Sequence, residues 1–509
     1  MNEEVPVTPT PVAAAADPAA SPVPLRQTAR GGGRMDLTQG PITKTLILFA
    51  LPTLASNILQ TLSGSVNSIW VGQFLGNSAL AATANANIIM FLMFGAVFGF
   101  GMAATVLIGQ SMGRGDIDAA RRATGGVIGL ALIFSVVIAI VGWFASDRIL
   151  GWLETPPQAF ALAHDYLRVT FLAVPASMLS VTLMMASRGA GDAVTPLRFM
   201  IFAVVLDIVF NPVLILGLGP FPRLGIAGSA LATAAAGTIS LAGMIAWFYA
   251  KNHVLRLRGR ELSYLLPKWS ELRFIIGRGL PMGAQMLVIS GAGLIMVGLV
   301  NREGLVTAAA YGATLQLWNY IQMPALAVGA AVSSMAAQNI GAGRWDRVGR
   351  ITRSGIVSTI AVTGVMVVLL AIADKPALAL FLGGDSPALP IARHIQLLAT
   401  WSFLLFGIAM VLFATVRANG AVVAPLVILA IGLIPVRLGF AFLAQPWLGA
   451  DALWISYPVS TVVNLGLAIA YYKRGSWKQA RMVEQPCDDE MIEEAHAATE
   501  PGGRLAPTG

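Results

Sequence analysis

Twelve long apolar runs fill the chain between its two ends: 45–71, 79–108, 122–145, 160–186, 194–218, 225–250, 272–300, 305–336, 351–373, 391–416, 421–444 and 451–472. A bilayer core takes about 20 apolar residues per helix. In lipid, only helices and closed barrels satisfy every backbone N–H and C=O. Runs of this length predict an all-α integral membrane protein with twelve transmembrane helices. Those longer than about 25 residues predict tilted or protruding helices. Composition agrees, with 56% hydrophobic and 11% charged residues and a mean hydropathy of +0.73. A soluble domain carries roughly 25% charged residues, so a soluble enzyme, a disordered scaffold and a nucleic-acid binder are all poor fits.

The chemistry-bearing residues are sparse. The only cysteine is Cys487, and His164, His253, His394 and His496 lie far apart. No intrachain disulfide and no zinc-ligand spacing follows from them. The sequence holds no Walker A motif, no GxSxG and no dinucleotide-binding glycine fingerprint, so neither ATP hydrolysis nor enzyme chemistry is expected. Neither a metal nor a cofactor is expected. Residues 1–35 are rich in Pro and Ala and read as a disordered tail, and 476–509 reads as a second one.

Orientation follows from the basic residues. Twelve spans put both termini on one side, together with about 26 of the 33 Lys and Arg. About six lie on the other side, and Arg437 lies within a span. The positive-inside rule then places both termini in the cytoplasm, with the chain crossing a bacterial-type inner (plasma) membrane many times. The same asymmetry explains the net charge of +8 without a nucleic-acid partner.

The chain also repeats itself. "LPTLASN" at 51–57 matches "LPMGAQM" at 280–286, and "WVGQFLGNSALAA" at 70–82 matches "MVGLVNREGLVTAAA" at 296–310. "IGQSMGRGDIDAARR" at 108–122 matches "AAQNIGAGRWDRVGR" at 336–350, and "ASRGAGDAVTPL" at 186–197 matches "TVRANGAVVAPL" at 415–426. All four pairs are offset by about 226–229 residues. Two six-helix lobes are therefore expected, 36–250 and 272–475, joined by a basic cytoplasmic linker at 251–271. Six is even, so the lobes share one orientation and should enclose a central cleft about a pseudo-two-fold axis along the membrane normal.

One acid stands well inside a predicted span. A charged Asp at a helix centre costs about 3 kcal/mol on insertion, so Asp207 marks either a functional group or a carboxylate held by a permanent partner such as Arg437. Asn211 lies one turn on, and Pro212 deprives the Ile208 carbonyl of its helical partner. The three oxygens suit a proton, a water or Na⁺. Read alone, Asn211–Pro212 is equally a plain kink. Pro52 and Pro281 occupy matching places in spans one and seven and mark either mobile bends or static ones. Gln60, Gln285 and Asn319 are polar residues in spans, serving either as inter-helix hydrogen bonds or as cleft lining. Arg437 either pairs with Asp207, repels cationic substrates at the cleft, or snorkels to an interface.

The "GPITKTLILFALP" opening, the "GQSMGRGDIDAARR" and "AQNIGAGRWDRVGR" loops and the "RGAGDAVTPL" loop resemble those of the multidrug and toxic compound extrusion (MATE) family of the MOP flippase superfamily. The resemblance covers about residues 36–475. It implies a cation-coupled antiporter, monomeric in the lipid bilayer, that exports small organic compounds by switching between inward-open and outward-open states. It also implies a cation site in the first lobe. Asn67, in "VNSI", stands where similar members carry an Asp in "VDTI". Asp207 and Asn211 reverse the family's usual Asn-then-Asp order. Thr233 matches the Thr of an "ALAT"-like segment. One carboxylate in place of two favours H⁺ over Na⁺ as the coupling ion. Some relatives place acids on spans seven and ten, and here both spans lack them. The alternatives are a lipid-linked precursor flippase of the same superfamily and a membrane sensor or binding protein that does not transport.

Overall fold

A computed structural model describes residues 35–152, 157–267 and 269–480. The expected tails at 1–34 and 481–509 lie outside these residues. The described chain is helical throughout. The first half contains α1 (Ile42–Leu75), α2 (Asn77–Arg114), α3 (Ile117–Trp152), α4 (Pro157–Gly189), α5 (Val194–Leu216) and α6 (Gly225–Ala250). The second half begins with α7 (Trp269–Arg302), α8 (Leu305–Gly341), α9 (Trp345–Ile372) and a short α10 (Asp374–Leu382). It continues through α11 (Ala388–Ala399), α12 (Ser402–Ala418), α13 (Val423–Ile431), α14 (Gly439–Leu448) and α15 (Asp451–Arg474).

Ten described helical segments are long and apolar enough to cross a bilayer, with α13 and α14 forming one continuous span. α11 and α12 make a further span bent by 46°, and the 38-residue α2 brings the count to twelve. Two details depart from the straight runs read in the sequence. The run at 391–416 breaks between α11 and α12, where Thr400 Oγ1 accepts a hydrogen bond from the buried Trp318 indole at 2.8 Å. The run at 421–444 contains a π-helical turn at Gly432–Leu438, around Pro435. Proline supplies no N–H to the regular ladder, and membrane helices absorb the loss by local π or 3₁₀ adjustment.

The two halves use one packing plan. In the first, α2 packs on α3 and α4, α4 on α3 and α6, and α5 on α1 and α6. In the second, α8 packs on α9 and α12, α12 on α9 and α15, and the α13–α14 span on α7 and α15. These are the same six pairings one repeat later. The halves meet where α2 packs on α7 and α8, and α1 on α8 and α9. α8 is enclosed by its neighbours over most of its length, with Ala331–Asn339 continuously buried.

The repeated motifs form this meeting surface. Gln110 of α2 donates from Nε2 to the Ala418 carbonyl of the second half at 2.7 Å. Gln338 of α8 donates in the same way to the Gly189 carbonyl of the first half at 2.9 Å. Donors and acceptors are each one repeat apart, so the two bonds form a reciprocal pair. A Cβ on Gly113 would overlap the Gln338 carbonyl, and one on Gly341 would overlap the Gln110 carbonyl. Between helices in lipid there is no hydrophobic transfer to gain, so close backbone approach and hydrogen bonds carry the association. Asn339 to the Leu37 carbonyl (2.9 Å), Arg344 to the Thr38 carbonyl (2.8 Å) and Thr43 with Ser354 (2.8 Å) extend the seam. All of these bonds lie at the end that carries the basic loops.

The segments outside the spans are held as well. In the linker, a 3₁₀ turn at Gly259–Leu265 lies against α3. There Arg121 pairs with Glu261 at 2.7 Å and donates to the Val254 carbonyl at 3.0 Å. Residues 476–480, read as the start of the second tail, are packed against the helices. Trp477 is buried, and Asn419 donates to the carbonyls of Trp477 (2.8 Å) and Ala480 (2.7 Å). The apolar indole, stacked on Tyr472, outweighs the polar composition from which the tail was read.

The "RGAGDAVTPL" loop turns on a buried Asp192. Its carboxylate accepts the N–H groups of Val194 and Thr195 at 3.0 and 2.9 Å and the Thr195 hydroxyl at 2.6 Å, with His253 at 3.6 Å. Burial raises the carboxyl pKa, but the His253 and Thr195 contacts together outweigh it and hold the value below the usual range.

Two outcomes are expected. Gly113→Val or Gly341→Val should destabilise the detergent-solubilised protein by about 1–3 kcal/mol, because a backbone carbonyl has nowhere to move; a melting temperature unchanged in both variants would contradict the seam. Asp192→Ala should cost about 1–3 kcal/mol by stranding buried N–H groups. A carboxylate whose folded pKa is depressed stabilises above its unfolded value near 4 and loses that contribution as pH falls through the folded one. The melting difference between wild type and Asp192→Ala should therefore be full near neutrality and shrink only in strong acid.

Candidate functional site

Three helices of the first half each contribute a polar pair spaced one turn apart. α1 supplies Ser63 and Asn67, α5 supplies Asp207 and Asn211, and α6 supplies Ser229 and Thr233. Residues i and i+4 share a helix face, so each pair points one way. α6 runs opposite to α1 and α5, so the pairs stack in two tiers: Ser63, Asp207 and Thr233 in one, Asn67, Asn211 and Ser229 in the other.

Asp207 is 3% exposed. Thr233 Oγ1 and Asn211 Nδ2 donate to its Oδ1 at 2.8 and 3.0 Å, and Ser63 Oγ donates to Oδ2 at 3.1 Å. Asn211 Nδ2 also donates to the Asp207 backbone carbonyl at 3.0 Å. In the other tier, Ser229 Oγ donates to Asn67 Oδ1 at 2.6 Å. Asn211 Oδ1 is buried and has no partner among the described residues, leaving a bare acceptor between the tiers. Burial disfavours a charge on Asp207, whereas three donated hydrogen bonds favour it. Two of the three donors are hydroxyls, which turn to accept as readily as they donate. The pocket therefore fits both the ionised and the protonated carboxyl with little rearrangement.

The site borders an opening. On α6, Leu231, Ile245 and Tyr249 form an exposed stripe. At about 100° per residue, Thr233 lies on the opposite face, yet it too is exposed. On α1, Ile58, Leu62 and Ile69 form the exposed apolar stripe, while Gln60 is exposed on the other side with Ser63 and Asn67. Asn319 is exposed on α8 next to Gln316. On α1 and α6 the polar side chains exposed away from the lipid-facing stripes mark an open space inside the protein, and Asp207 lies one hydrogen bond behind it.

The remaining candidates fall elsewhere. Gln285 was read as possible cleft lining, but it is buried. It accepts from Arg417 Nη1 at 2.9 Å and donates to the Val422 carbonyl at 3.3 Å, tying α7 to the α12–α13 turn. Pro52, Pro212 and Pro281 all lie inside continuous helices. Arg437 does not pair with Asp207: its Nε donates to Ser460 at 2.9 Å and its guanidinium lies 4.2 Å over the Tyr457 ring. The sequence reading does not include Ser63 and Ser229. The signal for them is their spacing of four from Asn67 and Thr233. Among the described residues no group of His, Cys, Asp and Glu has metal-binding geometry.

Comparison with known proteins agrees with this architecture. The MatE family model matches residues 52–213 and again 281–443, once per half. A "Probable multidrug resistance protein YoeA" of Bacillus subtilis is 32% identical over 443 residues, 87% of this chain and 95% of that protein. An "FAD transporter" of Shewanella oneidensis is 24% identical over 439 residues, 86% of this chain and 95% of its own length. A crystal structure of MATE in complex with MaL6 superposes with a TM-score of 0.81 at 21% identity, covering 89% of this chain and 100% of that one. The chain is a member of the MatE family of multidrug and toxic compound extrusion proteins, a membrane transporter and not an enzyme.

Proposed function

We propose that this protein is a proton-coupled antiporter that exports small organic compounds across the inner membrane by alternating access, as a monomer with both termini in the cytoplasm. The observation that carries the reading is Asp207, a buried carboxyl with three side-chain donors, one hydrogen bond from an internal opening. Substrate enters from the cytoplasm while Asp207 is ionised. After the outer side opens, a proton neutralises Asp207, Ser63 or Thr233 turns to accept it, and the substrate loosens. Linkage requires that proton and substrate weaken each other's binding equally. A membrane potential adds about 2.3 kcal/mol per charge moved per 100 mV.

The seam through Gln110 and Gln338 supports the alternation. Directional hydrogen bonds and close glycine contacts join the halves at the end with the basic loops, and these are the contacts that break and re-form in the proposed cycle. One carboxylate, already holding three donors, favours a proton over Na⁺, which needs several oxygens turned toward it. Small organic solutes are supported by relatives that carry multidrug resistance names.

The test is efflux from proteoliposomes under an imposed pH or Na⁺ gradient. ΔpH should drive export in the wild type. Asp207→Asn should lose at least about tenfold of the gradient-driven rate, a barrier rise of about 1.4 kcal/mol, and Thr233→Val should lose less. Undiminished ΔpH dependence in Asp207→Asn would reject the carboxyl as the coupling group; efflux driven by Na⁺ alone would reject the proton.

A further inference from the structure

We propose that Arg437 anchors an oxyanion site in the second half, which takes the carboxylate, sulfonate or phosphate of an organic solute. The inference rests on the transporter reading and names a substrate class for it. Under the repeat, the α13–α14 span and α15 are the second copies of α5 and α6. Thr233, which holds Asp207 in the first half, has Ser460 as its counterpart, 227 positions on. Asp207 has Arg437 near its counterpart position, 230 positions on. The hydroxyl contact is kept, with Arg437 Nε on Ser460 Oγ at 2.9 Å, but the charge beside it is reversed.

The arginine is aimed and left unneutralised. On the α13–α14 span, Ile431, Ile434 and Phe442 are exposed as a lipid-facing stripe, while Leu433 and Ala441 are buried. Arg437 lies between the buried two, on the inner face, at the π-turn Gly432–Leu438. Such single π-turns inside α-helices are frequent at functional sites. The Tyr457 ring beneath the guanidinium is itself fixed, because its hydroxyl bonds that of Tyr311 in the buried cluster around Trp318. Ser460 takes Nε, and neither Nη has a protein partner among the described residues. The side chain as a whole is only partly covered. No carboxylate forms an ion pair with Arg437 among the described residues.

A guanidinium stays charged at every accessible pH. The negative charge that satisfies it therefore comes from outside the described protein. Its free Nη edge is a planar pair of donors of the kind that binds carboxylate or phosphate two-handed. Depth separates a solute from a lipid headgroup. Arg437 is fourteen residues from Val423 and eleven from Leu448, about 21 and 17 Å at 1.5 Å per residue. That is near mid-membrane, whereas headgroup phosphates lie about 15 Å or more from the midplane.

Equilibrium binding to the full-length protein in phosphatidylcholine nanodiscs tests this without any gradient. The probes are fluorescein, a carboxylate dye, and ethidium, a cation, both read by fluorescence anisotropy. Fluorescein should bind the wild type, bind Arg437→Gln at least tenfold more weakly, and bind Arg437→Lys with intermediate affinity. Ethidium should bind wild type and Arg437→Gln alike, or the latter more tightly. Equal fluorescein affinity in wild type and Arg437→Gln would overturn the proposal, as would absence of fluorescein binding or parallel loss of both dyes. Adding phosphatidylglycerol to the discs should leave fluorescein binding unchanged. A tenfold loss confined to the wild type would give the site to a lipid headgroup and overturn the solute assignment. If Arg437-dependent binding survives while proteoliposomes show no gradient-driven efflux, the coupling reading fails and this site stands.

Discussion

The hydrocarbon core of a bilayer contains no water, and the rest of the structure follows from that. Each backbone polar group must be satisfied within its own helix, so every span is helical and prolines are absorbed as kinks or as the π-turn at Gly432–Leu438. Each charge within the spans needs an internal answer too. Asp207 finds three side-chain donors. Arg437 finds a hydroxyl and an aromatic face, but no acid among the described residues. The contrast between a fully answered acid and a half-answered base separates the two halves chemically, although their packing is the same.

Without hydrophobic transfer to drive helix association, the halves join by close contact. Gly113 and Gly341 let carbonyls approach where no side chain fits. Gln110 and Gln338 then cross the seam in opposite directions. This explains why the repeated loop motifs at 108–122 and 336–350 are not around Asp207. They form the pseudo-two-fold interface, where each half must present both a glutamine donor and a carbonyl acceptor.

Much of the fold was legible because helix length and apolar content are local properties of the chain. The two halves were legible from a constant offset, and Asp207 from the cost of an acid in lipid. Asn211 and Thr233 join it in the structure, while Asn67 stands one tier away on Ser229. Ser63 and Ser229 escaped notice because serine is common in membrane helices and its role depends on what faces it. Gln285 shows the opposite error. A glutamine in a span looked available, but Arg417 and the Val422 carbonyl occupy it. The short α10 and the bend between α11 and α12 were hidden for a related reason, since the apolar pattern runs on through the bend.

By itself the sequence determined the solvent, the number of the spans, the internal repeat and the one acid well inside a predicted span. Each of these depends on residue type and spacing along one chain. Only the tertiary structure decided which hydroxyls reach Asp207, that Arg437 lies over Tyr457 and beside Ser460 with no acid among the described residues, and that the repeated glutamines lock the halves at the basic end. Those facts depend on helices far apart in sequence meeting at particular rotations, and a hydrogen bond is decided within about 3 Å, a precision that no pattern along the chain carries.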